Sequence, residues 1–463
     1  MALIGILRSF AMMLVIIAMA MSVPLVVALL GGEEGAGSYL FALSIALMVG
    51  GGAYAASLGH RMPSGFRGAF IVILSWWIVV PVFAAIPIMA EGFKFADAYF
   101  EAVSAMTTTG AWLSNSGAIA SKAGALWRAE LQWLGGLGSL AIAAAIFIRP
   151  AFIGIDTLLP PFSRGDRDSF LRPLRNAVIS FVGVYSIVTL MAFSMIALAG
   201  APVFDAAILA MTTAASGGFI PHASGIEGYS NNVLLCIFLF TLLGGVNFIL
   251  IARIFKGERE RLRDIETGAY LLIVLWVAVL FWVTTGAGDV VLLASQLFNA
   301  ASLVTTNGFV VGEAPPLLVA LVTAIIGAAA VSTAGGFKIL RWLVIMRRAR
   351  EELRRLVSPS GVFGARRVAN ELGVWMHFLV FTLTLAALLL VVSLGGHSFG
   401  LAAAAATAAL SNAGPLIALA DGGVDGYAVF QEPVRWLLLV GMILGRLEAA
   451  VALALVNRAF WRW

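Results

Sequence analysis

Along this chain, apolar runs long enough to cross a membrane alternate with short polar breaks. After Arg8 the sequence is hydrocarbon to about Leu30, and a second run covers about Leu40 to Leu58. Further runs lie near 69 to 90, 125 to 148, 177 to 200, 232 to 255, 268 to 286, 315 to 346, 373 to 395 and 434 to 457. Roughly twenty apolar residues in a helix span the ~30 Å hydrocarbon core of a bilayer, so the pattern predicts about ten transmembrane helices. The first run is too long for the core of a secretory signal and is read as an uncleaved span. The predicted fold is an all-α polytopic membrane protein.

The breaks repeat. Ala105-Met106-Thr107-Thr108-Thr109-Gly110-Ala111 is a polar, glycine-ended turn, and comparable turns recur at Thr212-Thr213-Ala214-Ala215-Ser216-Gly217-Gly218-Phe219, Val304-Thr305-Thr306-Asn307-Gly308-Phe309 and Leu410-Ser411-Asn412-Ala413-Gly414-Pro415. Copies at intervals of about a hundred residues are an internal repeat. With residues 1–60 set aside as an N-terminal helix pair, the repeat divides the chain into units 61–150, 151–257, 258–350 and 351–463. Each is predicted to run span, short helix, polar loop, span.

Each loop follows a short run that starts at Asp97, Asp205, Asp289 or Ser398, side chains able to accept hydrogen bonds from the free amides of a first helical turn. The short helix then aims its carbonyl end, with its partial negative charge, at the glycine. Candidate ion ligands are Thr108, Thr109 and Gly110; Ser216, Gly217 and Gly218; Thr306, Asn307 and Gly308; and Asn412, Ala413 and Gly414. Such loops around one axis would exchange the water shell of a cation for oxygen ligands, which is the logic of a potassium filter.

A second motif recurs about 25 to 31 residues beyond each filter glycine, close to one membrane traverse: Leu134-Gly135-Gly136, Leu243-Gly244-Gly245, Ala334-Gly335-Gly336 and Leu444-Gly445-Arg446. In the first two copies, close helix packing and pore lining are both open. The third lies within Gly327-Ala328-Ala329-Ala330-Val331-Ser332-Thr333-Ala334-Gly335-Gly336-Phe337-Lys338, which interrupts a run too long for one straight span. Irregular backbone at membrane depth needs protein or a wet cavity around it. Residues 327–338 are therefore predicted to form a loop inside the pore, with Gly327, Ser332, Thr333, Gly335, Gly336 and Lys338 as candidate gating residues. In the fourth copy Arg446 takes the place of the second glycine, and an intramembrane arginine marks a functional site. It lies ~16 Å along a helix from Arg458, too deep for easy snorkelling. Glu448, two residues on, faces another side of the helix. The Arg446 guanidinium is predicted to donate to carbonyls of the loop and hold it closed.

Composition agrees with this plan: of 463 residues 61% are hydrophobic and 11% charged, which excludes an ordinary soluble globular domain. The single cysteine, Cys236, excludes an intrachain disulfide framework and a cysteine metal site. Charge sets the orientation. Arg61, Arg67, Arg149, Arg164, Arg253, Lys256, Arg347, Arg354, Arg366 and Arg458 are among the basic residues that fall in alternate loops, whereas Glu33, Glu34, Glu227, Glu313, Asp421, Asp425 and Glu432 occupy the opposite ones. By the positive-inside rule the basic face and both termini are cytoplasmic, and the filter loops open outward under an acidic mouth that concentrates cations. No separate domain presents the basic residues to nucleic acid.

Taken jointly, Thr107-Thr108-Thr109-Gly110, Gln132-Trp133-Leu134-Gly135-Gly136, Ser332 to Lys338 and Gly445-Arg446-Leu447-Glu448 resemble the motifs of the Trk-type subunits of the Trk/Ktr/HKT superfamily of potassium transporters, over essentially the whole chain. The resemblance implies that Gly110, Gly218, Gly308 and Gly414 are filter glycines, that 327–338 is a gating loop, and that K+ is the transported ion with no catalytic cofactor. It also implies a homodimer with one pore per subunit, in the lipid of a bacterial inner membrane, and a cytosolic nucleotide-binding regulatory subunit. Potassium uptake by symport or by a channel-like route both fit. Ala328-Ala329-Ala330 is poorer in glycine than the family pattern, and the fourth loop uses Ser411 and Asn412, so the walls are not equivalent. Serine in place of the first filter glycine marks sodium-favouring relatives, and Gly110 departs from that form.

The alternatives are a sodium- and potassium-permeable transporter of the same fold and a polytopic membrane enzyme. His60, His222, His377 and His397 are isolated, with no ligand spacing near Cys, Asp or Glu. Asp97 and Glu101, one turn apart, are read as a cap and a support of the first pore helix rather than as a catalytic pair.

Overall fold

The computed structural model describes residues 4–60, 66–113, 121–147, 171–221, 225–257, 264–286, 288, 290–357, 372–420, 423–424 and 426–447. These residues form helices and loops. Helices α1 (Ile6–Gly31) and α2 (Ala36–Ser57) pair as an N-terminal hairpin, the first closed by Gly32 in a left-handed conformation that a glycine adopts without steric cost.

Four units follow. In the first, α3 (Phe66–Ile78) and α4 (Val80–Met89) lead to the short α5 (Phe95–Met106) and then to α6 (Lys122–Phe147). The second has α7 (Leu171–Leu198), α8 (Val203–Ala215), and α9 (Asn231–Gly245) with α10 (Phe248–Phe255), the last two bent by 102°. The third has α11 (Ile265–Thr284), α12 (Val290–Val304), α13 (Leu317–Ile326) and α14 (Ile339–Val357). The fourth has α15 (Leu372–Leu394), α16 (Phe399–Ser411) and α17 (Glu432–Arg446).

The contacts close these units into a ring. The helix after each loop packs on its own unit's short helix and on that of the next unit: α6 on α5 and α8, α9 on α8 and α12, α13 on α12 and α16, α17 on α16 and α5. Each short helix is thereby wedged between two neighbours. All four end near one axis.

Among the described residues, six helices have the length and apolarity of a membrane crossing, or seven if the bent α9–α10 pair is one span. The sequence predicts about ten. The difference falls on the second helix of each unit. The 26-residue α6 carries Arg128, Glu130 and Gln132; the 315–346 run is split by a loop; and the 434–457 run is described only as far as Leu447. Arg128, Gln132, Arg446 and the loop 327–338 are buried in protein, which lets these runs carry charge and broken backbone that lipid would not tolerate. The leading spans α7, α11 and α15 instead expose large apolar side chains such as Leu190, Trp276 and Leu383.

One detail of the helix starts needs correction. Asp97 and Asp205 do not cap α5 and α8, whose N-cap residues are Lys94 and Pro202; both aspartates sit inside the first turn. There Asp97 pairs with Arg435 at 2.8 Å, and Asp205 accepts from the Tyr229 hydroxyl at 2.9 Å. An acid in the first turn still complements the positive helix end. Ser398 does cap α16, accepting from the amide of Leu401, and Asp289 lies outside the described residues.

Candidate ion pathway

The four short helices end in the same way. An amide two or three residues past each helix end donates five residues back, Thr109 to Ser104, Gly217 to Thr212, Asn307 to Ser302 and Ala413 to Ala408, at 2.8–2.9 Å. Such bonds require the intervening residue to be left-handed. Those residues are Thr108 (φ 53°), Ser216 (53°), Thr306 (61°) and Asn412 (53°), where glycine is the unstrained choice. Among the described residues the only other non-glycine with positive φ is Lys338. Left-handed backbone at a residue with a side chain costs roughly 1–2 kcal/mol, and its recurrence at equivalent positions marks it as part of the design.

Two residues further on, Gly110, Gly218 and Gly308 have φ of 70°, 72° and 76°. A Cβ at Gly110 would lie 2.1 Å from Gly217 O, one at Gly218 2.1 Å from Asn307 O, one at Gly308 2.9 Å from Pro415, and one at Gly414 2.5 Å from Thr109 O. Each loop therefore abuts the next, and the fourth abuts the first. The fourth wall differs in build: Gly414 is not left-handed but starts a short 3-10 helix, and its amide donates to Thr109 O at 2.6 Å. Pro415 fills the space against Gly218 and Gly308.

Side chains on the short helices hold the chain after each filter glycine. Ser104 and Thr212 accept from the amides seven residues on, of Ala111 and Phe219. Glu101 and Asn299 accept from those twelve on, of Leu113 and Val311. In the fourth unit the Tyr427 hydroxyl donates to Gly414 O instead. Behind the second loop, Gln132 donates to Gly217 O at 2.7 Å. The hydroxyl of Thr108 and the side-chain oxygens of Asn307 and Asn412 are buried without a protein hydrogen-bond partner, and the two amides turn to α9 and α17, donating to Thr241 Oγ1 and Met442 O.

The paired glycines serve close packing. A Cβ at Gly135 would lie 1.9 Å from Met106 O, at Gly136 3.1 Å from Ala215 Cα, at Gly245 2.7 Å from Thr305, at Gly335 1.8 Å from Ser411 O, and at Gly445 2.3 Å from Leu410 O. These positions touch the carbonyl ends of the short helices. In the fourth unit Arg446 stands where the others have their second glycine, and its Nε donates to Thr107 O at the end of α5.

Residues 327–338 form an irregular, almost wholly buried loop between α13 and α14. Gly327 (φ 72°) and Gly336 (φ 74°) cross so closely that a Cβ on either would strike the other strand of the loop, at 2.5 Å and 2.7 Å. Gly335 N donates to Thr306 Oγ1 at 2.7 Å, Gly336 N to Ser411 O at 3.1 Å, and Thr333 Oγ1 lies 2.9 Å from Ser216 Oγ. Arg446 Nη1 donates to Thr333 O at 2.9 Å and Ala334 O at 3.4 Å. Lys338 Nζ bonds within the loop, to Ser332 and Ala334. The loop thus touches the ends of three short helices directly and the first through Arg446. A small cavity of about 30 Å³ adjoins it, lined by Ser139, Ser332, Lys338, Arg341, His377 and Arg446 among others.

A family model described as "TrkH: Cation transport protein" matches residues 39–459. The chain belongs to the TrkH family. The Trk system potassium uptake protein TrkI of Halomonas elongata is 32% identical over 480 residues, covering 99% of this chain and 96% of that protein. The Trk system potassium uptake protein TrkG of Escherichia coli is 29% identical over 471 residues, 96% of each chain. A crystal structure of the potassium transporter TrkH from Vibrio parahaemolyticus matches with TM-score 0.88 and 26% identity over 100% of both chains. TrkH-family proteins move cations, so the enzyme alternative does not stand.

In this TrkH-family chain all the candidate filter and loop residues are brought together around one axis. Further polar residues are there too, of which Arg128, Glu91, Asn247 and Glu266 are not singled out by the sequence. Arg128, wholly buried in α6, pairs with Glu101 at 2.5 Å and Glu91 at 2.8 Å, so Glu101 supports the outer side of the first loop by way of a buried ion pair. Glu33, read as part of the acidic mouth, accepts from Ser121, Lys122 and Ala123 at the start of α6. Gln132, Asn247 and Glu266 are buried against the loops as well. The available signal is a lone polar or charged residue within or at the head of an apolar run.

Proposed function

We propose that the chain takes up potassium across a bacterial inner membrane through one pore, with the loops ending at Gly110, Gly218, Gly308 and Gly414 as filter and residues 327–338 as gate. The relatives named as potassium uptake proteins support the ion. The observation that carries the reading is the cyclic abutment of the four loops, in which a Cβ on each filter glycine would enter the next loop. Carbonyls and hydroxyls at that ring replace the water shell of a desolvated cation. The acidic outer loops concentrate it, and the basic face and both termini are cytoplasmic. The chain works as a homodimer with a cytosolic nucleotide-binding regulatory subunit, in keeping with the resemblance to Trk-type subunits.

Arg446 acts as the lock. It joins Thr107 O, at the base of the first filter, to Thr333 O and Ala334 O of the loop. Its charge also opposes a passing cation by ~3 kcal/mol at about 5 Å and an effective dielectric near 20, roughly a hundredfold in occupancy. In proteoliposomes at matched protein density, Arg446→Ala raises basal potassium flux on the order of tenfold, and Arg446→Lys retains part of the barrier because the charge survives but the fork does not. An alanine variant with parental flux and parental regulation removes Arg446 from the gate.

A further inference from the structure

The two halves of the loop hang from different supports. Residues 333–336 are held by the filter ends and Arg446, as described above. The first half is held from the second unit and from α11: Ala329 N donates to Gly245 O at 3.1 Å, Phe248 N to Val331 O at 2.8 Å, and Ala330 N to Glu266 Oε1 at 2.6 Å. The other Glu266 oxygen faces Asn247 Nδ2 at 3.4 Å. Asn247 sits in the 102° break between α9 and α10 and caps α10 through Ile249 N.

Glu266 is not needed where it stands for the sake of its own helix. Asp264 already caps α11, accepting from the amides of Glu266 and Thr267. A first-turn glutamate that only complemented the helix end would remain in water. Glu266 is 5% exposed, accepts from the loop amide of Ala330 and faces Asn247 Nδ2, and a buried carboxyl group has to repay its desolvation through such bonds. The loop is thus gripped at both halves, by a guanidinium that donates to its carbonyls and a buried carboxyl group that accepts from its amide.

We propose that Glu266 is a second latch on the gate, a positioning residue that holds residues 329–331 against the break in the second unit. This rests on the reading of 327–338 as the gate.

The test compares Glu266→Ala, Glu266→Gln and Arg446→Ala in proteoliposomes at matched density, reading basal potassium flux and the potassium-to-sodium ratio. Glu266→Ala is expected to raise basal flux about tenfold, equivalent to 1.4 kcal/mol. Glu266→Gln keeps an acceptor but loses the charge-assisted part of the bond, and is expected to raise it about two- to threefold. The ion ratio stays parental in both, because Glu266 makes none of the bonds described for the filter ring. Parental flux in Glu266→Ala alongside a leaky Arg446→Ala overturns the latch and leaves the gate standing. Parental flux in both overturns the gate and the latch with it. A changed ion ratio assigns Glu266 to the filter and overturns the latch. If the alanine variant does not fold, Glu266→Gln decides, and parental flux there overturns the proposal.

Discussion

The filter turns and the intramembrane loop are both irregular backbone at membrane depth, yet they are held differently. Each filter turn has a bond five residues back into its own short helix, and in the first three units side chains of that helix hold the chain seven or twelve residues on, whereas in the fourth Tyr427 does so. The loop has bonds of its own, from Lys338 Nζ and between 325–328 and 337–339, but it is also tied to residues far away in sequence: Gly244, Gly245, Glu266, Thr306, Ser411 and Arg446. Local bonds give a structure that one unit can fix by itself and that resists displacement. Long-range bonds from several units give one that lets go when any unit shifts. A filter needs the first property and a gate the second.

The largest expected effect comes from breaking the local side of this contrast. In Gly110→Ser a Cβ would be placed 2.1 Å from Gly217 O on a backbone with φ of 70°. The first and second loops must separate, and sodium should compete with potassium, lowering the flux ratio by at least about tenfold, or 1.4 kcal/mol. Competition assays in proteoliposomes measure this directly. A folded variant with the parental ratio would show that the loops do not close the ring that selects the ion.

An intermediate effect sharpens the long-range side. Gly335 and Gly244 occupy the equivalent position in two copies of the repeated motif, but a Cβ would meet Ser411 O at 1.8 Å in the first and nothing nearer than 3.5 Å in the second. Gly335→Ala should unseat the loop from the fourth unit, at a cost of about 1–3 kcal/mol, and raise basal flux severalfold. Gly244→Ala should change it less than about twofold, since 3.5 Å is ordinary contact. Equal effects in flux assays would mean that the motif acts through helix flexibility and not through the seat it leaves for the neighbouring carbonyl.

The same contrast explains what the sequence reveals. The filter turns can be read because their signal is local: polar residues, a glycine, and a fixed distance to the next copy. Arg446 and the loop can be read because each breaks a local expectation, a charge in a span and a run too long to be straight. The cap assignment fails at Asp97 and Asp205 because an acid near a helix start looks alike at N-cap and in the first turn, and only the partners Arg435 and Tyr229 distinguish the two. Arg128 breaks the same rule as Arg446, but its partners Glu91 and Glu101 lie 37 and 27 residues away. Glu266 reaches 64 residues to Ala330. No spacing rule links such pairs, since the ring of helices alone brings them together.

The smallest expected effect tests whether the two ends of a short helix are independent. Among the starts of the short helices described, α16 alone has a side-chain cap, from Ser398 to the Leu401 amide at 3.3 Å, whereas α5 and α8 begin without one. Ser398 is exposed, so water replaces part of the lost bond. Ser398→Ala should therefore cost about 0.5–1 kcal/mol, at the low end for a cap. The opposite end of α16 is held by its own bonds, Ala413 N to Ala408 O and Asn412 Nδ2 to both Thr109 Oγ1 and Met442 O. None of these depends on the first turn. The variant should melt slightly earlier in detergent, while its ion ratio and basal flux in liposomes remain parental. A shift in the ratio would mean that fraying at the outer end reaches Asn412 through the 13 residues of the helix. The fourth wall would then be held by the whole length of α16, and the contrast between a locally fixed filter and a remotely held gate would fail at that wall first.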